Sequence, residues 1–260
     1  MTYIKENWAN KEARAEQAQR HTEEMQKKYD NEIQNSIQNT KIYDIDFQCD
    51  DNKEDKNTEI IIEDSDTVYA GSRYFKDGKI ALLNFSSYKN PGGMFINGSK
   101  AQEECLCHAS YLYNVLMQFT DSFYNWNNQH KNRALYFNRG LYSPNILFQY
   151  NETLFHCDVI TCAAPNKSAA RRYQKVTNEE NTEILQSRIK FVLDIAKENH
   201  VDTLILGAYG CGVFGQNAKE VAGIFKKYLE TTHKCFNKVI FAIPKGKDKN
   251  LESFKSVFDK

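Results

Sequence analysis

The sequence predicts an α/β fold, a mostly parallel or mixed sheet covered by helices on both faces, with a helical extension at its N-terminus. Three observations carry this. Short apolar, β-branched runs recur at residues 58–63, 79–85, 158–163, 203–207 and 238–243. Segments with helical spacing lie between them, and such alternation implies crossover connections within one sheet. The first forty residues differ from the rest, being rich in Glu, Gln, Lys, Asn and Ala.

In that opening segment Ala18, Met25, Tyr29, Ile33 and Ile37 recur at helical steps. Their apolar stripe is thin, which predicts one or two amphipathic helices lying on a domain rather than forming one. The charged run at residues 50–56 follows and reads as a solvated loop. The expected division is therefore a helical accessory segment over 1–57 and a domain over 58–260. Gln102 opens a helical pattern through Leu106, Ala109, Tyr113 and Leu116. Residues 125–150, rich in Asn, Tyr and Phe, read as a long excursion over the domain. Leu185, Ile189, Val192 and Ala196 share one face of a helix over 178–198, with Thr177 and Glu180 as its capping box. Ala218, Val221, Ala222, Phe225, Tyr228 and Leu229 share a face of another over 218–231. No internal repeat or low-complexity tract occurs.

Composition limits the function classes. With 41% hydrophobic and 13% aromatic residues, 260 residues can bury a sizeable core, which excludes a wholly disordered chain. Lys plus Arg and Asp plus Glu are both 34, and a zero net charge argues against an electrostatic nucleic-acid coat. A local basic run, Arg171-Arg172-Tyr173-Gln174-Lys175, reads either as a solvated loop or as a guide for a polyanionic polymer. No apolar stretch approaches the roughly 20 residues of a membrane span. The N-terminus lacks the apolar run of a secretory signal, so an intracellular, cytoplasmic chain is expected, or a nuclear one in a eukaryote. The seven cysteines are odd in number and contain no Cys-x-x-Cys pair. Free thiols in a reducing compartment are the simpler expectation.

Ligand sites in such sheets lie beyond the carboxyl ends of the strands. After the second apolar run comes Asn84-Phe85-Ser86-Ser87-Tyr88-Lys89-Asn90-Pro91-Gly92-Gly93-Met94. Its Pro-Gly-Gly serves either a tight turn or a close approach of backbone to ligand. Gln102-Glu103-Glu104 places carboxylates in a first helical turn, where they complement the helix dipole. A desolvated Glu beside a glycine loop can also hold its proton and act as a general acid. Gly207-Ala208-Tyr209-Gly210-Cys211-Gly212-Val213-Phe214-Gly215 contains G-x-G-x-x-G between a strand and a helix. It falls in the last quarter of the chain, and Glu230, some 20 positions on, lies inside a helix rather than at a strand end, against a dinucleotide-binding Rossmann unit. What remains is an anion cradle of peptide N–H groups suited to a diphosphate. Cys162-Ala163-Ala164-Pro165-Asn166 is either a strand stop or another close approach. Cys105 and Cys107, two apart on a helix, point away from each other, so no metal site is expected of them with His108.

Taken together, these loops resemble the poly(ADP-ribose) glycohydrolases. Asn90-Pro91-Gly92-Gly93, a short spacer and Gln102-Glu103-Glu104 are similar to that family's glycine triplet, spacer and Gln-Glu-Glu signature. Residues 84–87, 159–166 and 207–215 resemble its microbial-type branch. The resemblance covers about 84–245, and the N-terminal helices match that branch's accessory segment. It implies a macrodomain, a three-layer α/β/α unit with a mixed central sheet that binds ADP-ribose. It also implies hydrolysis of the ribose–ribose O-glycosidic bond of poly(ADP-ribose), releasing ADP-ribose, with no metal and no cofactor. By position, Glu104 would be the catalytic acid and Glu103 would hold ribose hydroxyls. Gly92 and Gly93 would meet the distal ribose and diphosphate through backbone, with Asn84, Asn90, Pro91, Gln102, Ala163 and Pro165 around them. Gly210, Gly212, Val213 and Phe214 would embrace the diphosphate and pack on the ribose. The implied partners are poly(ADP-ribose) or an ADP-ribosylated protein, with no membrane, no nucleic acid and a monomeric state.

The residue types suit that chemistry. A glycosidic bond breaks through an oxocarbenium-like state in which the leaving oxygen needs a proton and the anomeric carbon a water. The ligand's diphosphate and Glu103 would each raise the pKa of Glu104. One position departs from the family: its third glycine is Met94 here. If that position needs left-handed backbone, Met costs about 1–2 kcal/mol; otherwise it supplies a soft apolar wall. Two other functions remain as alternatives: an ADP-ribose reader, or a hydrolase of mono-ADP-ribosyl or NAD-derived signals, with weak or no polymer turnover. A third, an NAD-dependent oxidoreductase, rests on the glycine fingerprint alone.

Overall fold

The computed structural model describes residues 10–50 and 55–259. Most of the charged run at 50–56 lies outside these residues. The described residues open on α1 (Lys11–Asn39) and β1 (Lys41–Tyr43), followed by β2 (Glu59–Glu63), α2 (Thr67–Tyr74) and β3 (Ile80–Phe85). Next come α3 (Gln102–His108), α4 (Leu112–Met117), α5 (Trp126–Gln129), β4 (Gly140–Tyr150) and β5 (Thr153–Cys162). The remainder is α6 (Lys167–Gln174), α7 (Asn178–Glu198), β6 (Thr203–Leu206), α8 (Ala218–Thr231), β7 (Lys238–Ala242) and α9 (Asn250–Phe258).

The strands form one seven-stranded sheet in the order β1-β4-β5-β3-β6-β7-β2. It is mixed: β1, β4 and β5 pair antiparallel, while β3 pairs parallel with both β5 and β6, as do β6 with β7 and β7 with β2. Successive strand residues point to opposite faces, and here both faces are covered. Ala81 and Leu83 of β3, with Leu204, Leu206, Val239 and Phe241, join a core with α7, α8 and α9. Ile80 and Leu82, with Ile205 and Ile240, join a second core with α1, α3 and α4. Three layers, α/β/α, follow from that alternation. β5 and β6 both follow β3 in the chain yet lie on opposite sides of it, so a crevice opens beyond its carboxyl end.

The five expected strands are present, as is the Thr177–Glu180 capping box, with Thr177 N–H donating to Glu180 Oε2 at 2.8 Å. Three local expectations are corrected. Residues 125–150 are not an excursion, because most of their second half is β4, the longest strand. Pro144 and Asn145, at a register shift, hide its alternation, and Asn145 takes φ 60° there. The helical accessory segment expected over 1–57 also supplies the edge strand β1. The helix expected through Leu116 breaks at Ser110, which forms a β-bridge with Phe148 and accepts the Leu112 N–H at its hydroxyl.

α1 packs beneath the loop that leads from β3 to α3. Arg14 Nε donates to Gly98 O at 2.7 Å, and His21 meets Phe95 edge to face at 6.4 Å. Gly98 has φ 74°, and a Cβ there would be driven into the Lys11 carbonyl. Gly98→Ala is expected to cost roughly 2 kcal/mol or more, from left-handed strain plus the backbone collision. Thermal unfolding of the full chain checks this through a lowered midpoint.

Candidate active site

Two cavities meet over the crevice beyond β3. One, of ≈ 500 Å³, is walled by Asp66, Thr67, Val68 and Leu106 on one side and Ala242 and Pro244 on the other. The second, of ≈ 230 Å³, is walled by Ala164, Tyr209, Gly210, Gly212, Val213 and Phe214. Phe85, Ala101, Gln102 and Ala208 line both, so they form one cleft.

α3 brings the carboxylates to its edge. Glu103 and Glu104 occupy the first turn, as the dipole favours, yet they are only 3% and 6% exposed. Each is held by backbone donors. Glu104 Oε1 accepts Met94 N–H at 2.9 Å, and its Oε2 accepts Ala101 N–H at 2.8 Å. Glu103 Oε2 accepts Ser87 N–H at 2.6 Å, and its Oε1 accepts Asn84 Nδ2 at 3.2 Å. Gly93 lies against both: a Cβ there would stand 2.5 Å from Glu104 Oε1 and 2.9 Å from Glu103 Oε2. Gly93 also has φ 63°, so glycine is required twice over. Burial pushes the Glu103 carboxyl up from its ordinary 4.5 to about 8. Its bonds to Ser87 and Asn84 oppose that rise, and the neighbouring Glu104 charge adds to it.

The opposite wall is the glycine loop. Gly210, at φ 73°, packs so closely that a Cβ would fall 2.8 Å from Ala164 Cβ. The loop closes on itself, with Gly215 N–H donating to Gly212 O at 3.0 Å and Gln216 N–H to Gly210 O at 3.0 Å. Gln216 Nε2 also donates to Pro165 O at 2.8 Å and to Asn181 Oδ1 at 2.9 Å, tying the loop to α7. The N–H groups of Gly212, Val213 and Phe214 have no acceptor among the described residues. Val213 is 89% exposed at the tip. Three adjacent donors without acceptors, in a turn shaped by glycines, are the groups that an anion cradle needs.

The cleft thus gathers Gln102, Gly210, Gly212, Val213 and Phe214, with Glu103, Glu104 and Gly93 behind its Ala101 rim. Other residues singled out in the sequence have different places. Asn84 is fully buried behind Glu103, donating to it and to Thr161 Oγ1 at 3.3 Å. The Gln102 amide is used on the protein: Oε1 accepts Phe85 N–H at 2.8 Å and Nε2 donates to Leu83 O at 2.8 Å. It pins α3 to the end of β3. Gly92 faces inward, where a Cβ would lie 2.6 Å from Tyr113 Cδ2. Asn90 and Pro91 form the turn before Gly93, whose N–H donates to Asn90 O at 3.0 Å. Ala163 and Pro165 are buried, with their carbonyls taken by Arg188 Nη1 and Gln216 Nε2; the residue between them, Ala164, lines the cleft. Met94 is absent from the positive-φ residues, and its side chain is 44% exposed, so the departure from glycine carries no left-handed strain. Phe85 and Ala208 were passed over in the sequence, although each sits within two residues of a strand's carboxyl end, which is the signal that marks them. Burial pushes the Cys211 thiol to about 12, which removes it as a nucleophile at neutral pH.

The family model described as the microbial-type PARG catalytic domain matches residues 9–150. Among solved structures, the chain is similar to a poly(ADP-ribose) glycohydrolase from Thermomonospora curvata bound to the inhibitor ADP-HPD. Identity is 25%, TM-score 0.81, and coverage 94% of this chain and 99% of that one. It is also similar to poly(ADP-ribose) glycohydrolase (PARG) from Deinococcus radiodurans in complex with ADP-ribose. There identity is 28%, TM-score 0.79, and coverage 87% and 96%. No curated protein sequence matches the chain significantly.

The raised Glu103 pKa has a signed consequence. In the unfolded chain Glu103 ionises near 4.5, while in the fold it keeps its proton to about 8. Its contribution to stability is therefore full below 4.5 and is lost as pH rises to about 8. Relative to Glu103→Gln, wild-type stability should fall across that window by an amount on the order of a few kcal/mol. Denaturant unfolding of both proteins at a series of pH values checks it; parallel curves would contradict it.

Proposed function

Because the chain belongs to the microbial-type poly(ADP-ribose) glycohydrolase family, it is a glycosidase acting on poly(ADP-ribose), and we propose that Glu104 is its general acid and base. One observation carries this reading: the buried Glu104 carboxyl is bonded to the N–H of Ala101, which lines the same cleft as the unpaired N–H groups of Gly212, Val213 and Phe214. The cradle receives the ADP-ribose diphosphate through the N–H groups of Gly212, Val213 and Phe214. Phe214 packs on the ribose between them. The distal ribose then lies over Gly93, where the absence of a side chain lets it approach both carboxylates.

Glu104 gives its proton to the leaving oxygen of the ribose–ribose linkage as the C–O bond breaks. The resulting carboxylate takes a proton from the water that attacks the anomeric carbon, restoring the acid. One water is consumed and one free hydroxyl appears on each side of the former bond, releasing ADP-ribose. Glu103 orients the ribose hydroxyls beside the reacting carbon. Asn84 and Ser87 fix the Glu103 carboxyl, and Gln102 fixes the helix that carries both acids. These three act on position rather than on the substrate.

Glu104→Gln is expected to lower ADP-ribose release from polymer by about 10² to 10⁴ while leaving ADP-ribose affinity within a few-fold. Free ADP-ribose quantified after incubation with poly(ADP-ribose), alongside calorimetric titration, provides the measurement. Equal turnover by the two proteins would remove Glu104 from its role. Gly212→Ala tests the cradle separately. A Cβ there meets nothing within 4 Å, so the fold should tolerate it, with a stability change within about 0.5 kcal/mol. If the diphosphate rests against this backbone, ADP-ribose affinity falls by about tenfold or more, as the added methyl holds it off the donors.

A further inference from the structure

On the far side of the glycine loop lies a shallow groove of ≈ 420 Å³ walled by Lys167, Ser168, Arg171, Arg172 and Gly215. It adjoins the cleft through the loop itself. Val213 and Phe214 wall the cleft, Gly215 walls the groove, and Ser168 N–H donates to Phe214 O at 3.0 Å. The groove is cationic: residues 167–175 hold Lys167, Arg171, Arg172 and Lys175 and no acid, in a chain whose net charge is zero. Lys167 is partly neutralised by Glu220 at 3.7 Å. Arg171 and Arg172 are exposed and make no ion pair with any described residue. Beside them Tyr173 is 66% exposed, with the Arg172 guanidinium carbon 5.2 Å from its ring.

We propose that this groove is a second subsite, binding the phosphates of the polymer unit next to the one in the cleft. The proposal rests on the glycohydrolase reading above. A polymer whose terminal unit fills the cleft continues outward past the loop rim, and each further unit carries another diphosphate. Unpaired arginines are suited to that ligand, since a guanidinium fork matches phosphate oxygens. An exposed tyrosine next to them offers a stacking face for an adenine. Single-stranded nucleic acid shares these chemical features; the position against the cleft favours the polymer.

The test compares full-length Glu104→Gln protein, which holds the polymer uncut, with the same protein carrying R171Q/R172Q. Binding of defined-length poly(ADP-ribose) is read by anisotropy across a salt series, and binding of ADP-ribose by calorimetry. The expected result is a loss of polymer affinity of about tenfold and a salt slope shallower by about 1.4, with ADP-ribose affinity unchanged. R171K/R172K should retain most of the polymer affinity, which separates charge from damage to the fold. Equal polymer affinity with and without the arginines, while ADP-ribose still binds, overturns the subsite alone. Failure of the Glu104→Gln parent to bind ADP-ribose is instead failure of the glycohydrolase reading. A single-stranded oligonucleotide of equal phosphate number, binding the groove as tightly as the polymer when ADP-ribose fills the cleft, overturns the assignment in favour of nucleic acid.

Discussion

The site depends on keeping two adjacent carboxylates out of water at the start of a seven-residue helix. A buried carboxyl is costly unless it is neutralised or bonded, and this one pair uses both remedies. Both carboxyls are bonded, Glu103 by Ser87 N–H and Asn84 Nδ2 and Glu104 by the N–H groups of Met94 and Ala101, and burial also pushes the Glu103 carboxyl up to about 8. The donors come from the loop after β3 and from the rim of α3. Packing of that loop therefore fixes where the acids point. Gly93 is the hinge of the arrangement, because any side chain there would occupy the space shared by both carboxyl groups.

The sheet supplies the second half of the site. β3 lies between β5 and β6, and the segments after all three strands end at the same crevice. The glycine loop after β6 approaches Ala164 after β5 so closely that neither position has room to spare. Gln216 then locks the loop from behind by reaching both Pro165 and Asn181. A loop bonded in this way holds its three free N–H groups in place, and donors already held cost less to order when an anion binds.

Much of this was legible in the sequence, for reasons that differ by element. The strands β2, β3, β6 and β7 are central or parallel-paired and read as uninterrupted apolar runs. β4 did not, because Pro144 and Asn145 sit at its bulge. The carboxylates and glycine loops were legible as motifs, since first-turn acids and left-handed glycines leave a local imprint. Whether a side chain faces the ligand or the protein leaves none. Asn84 and Gln102 have the polar ends of ligand-binding residues, yet their partners are Glu103, Thr161 and the backbone of β3. Ala163, Ala164 and Pro165 are alike in sequence terms, and only the path of β5 into α6 turns the middle one toward the cleft.

The N-terminal helix acquires a purpose from the same geometry. Its thin stripe was enough to dock it, through Ala18, Ile33 and the partly buried Met25, Tyr29 and Ile37. What it docks against matters more than the area. Arg14 bonds the Gly98 carbonyl, and His21 bonds the Ser110 carbonyl at 2.8 Å while touching Phe95. Gly98 and Phe95 belong to the loop that holds Met94, and Ser110 ends the turn after α3. α1 thus clamps both flanks of the segment carrying Glu103 and Glu104. Burial lowers the pKa of His21, which keeps it neutral and able to remain in that apolar contact. Since the Met94 N–H is one of the two bonds on Glu104, a loosened α1 would act on the acid without touching the cleft.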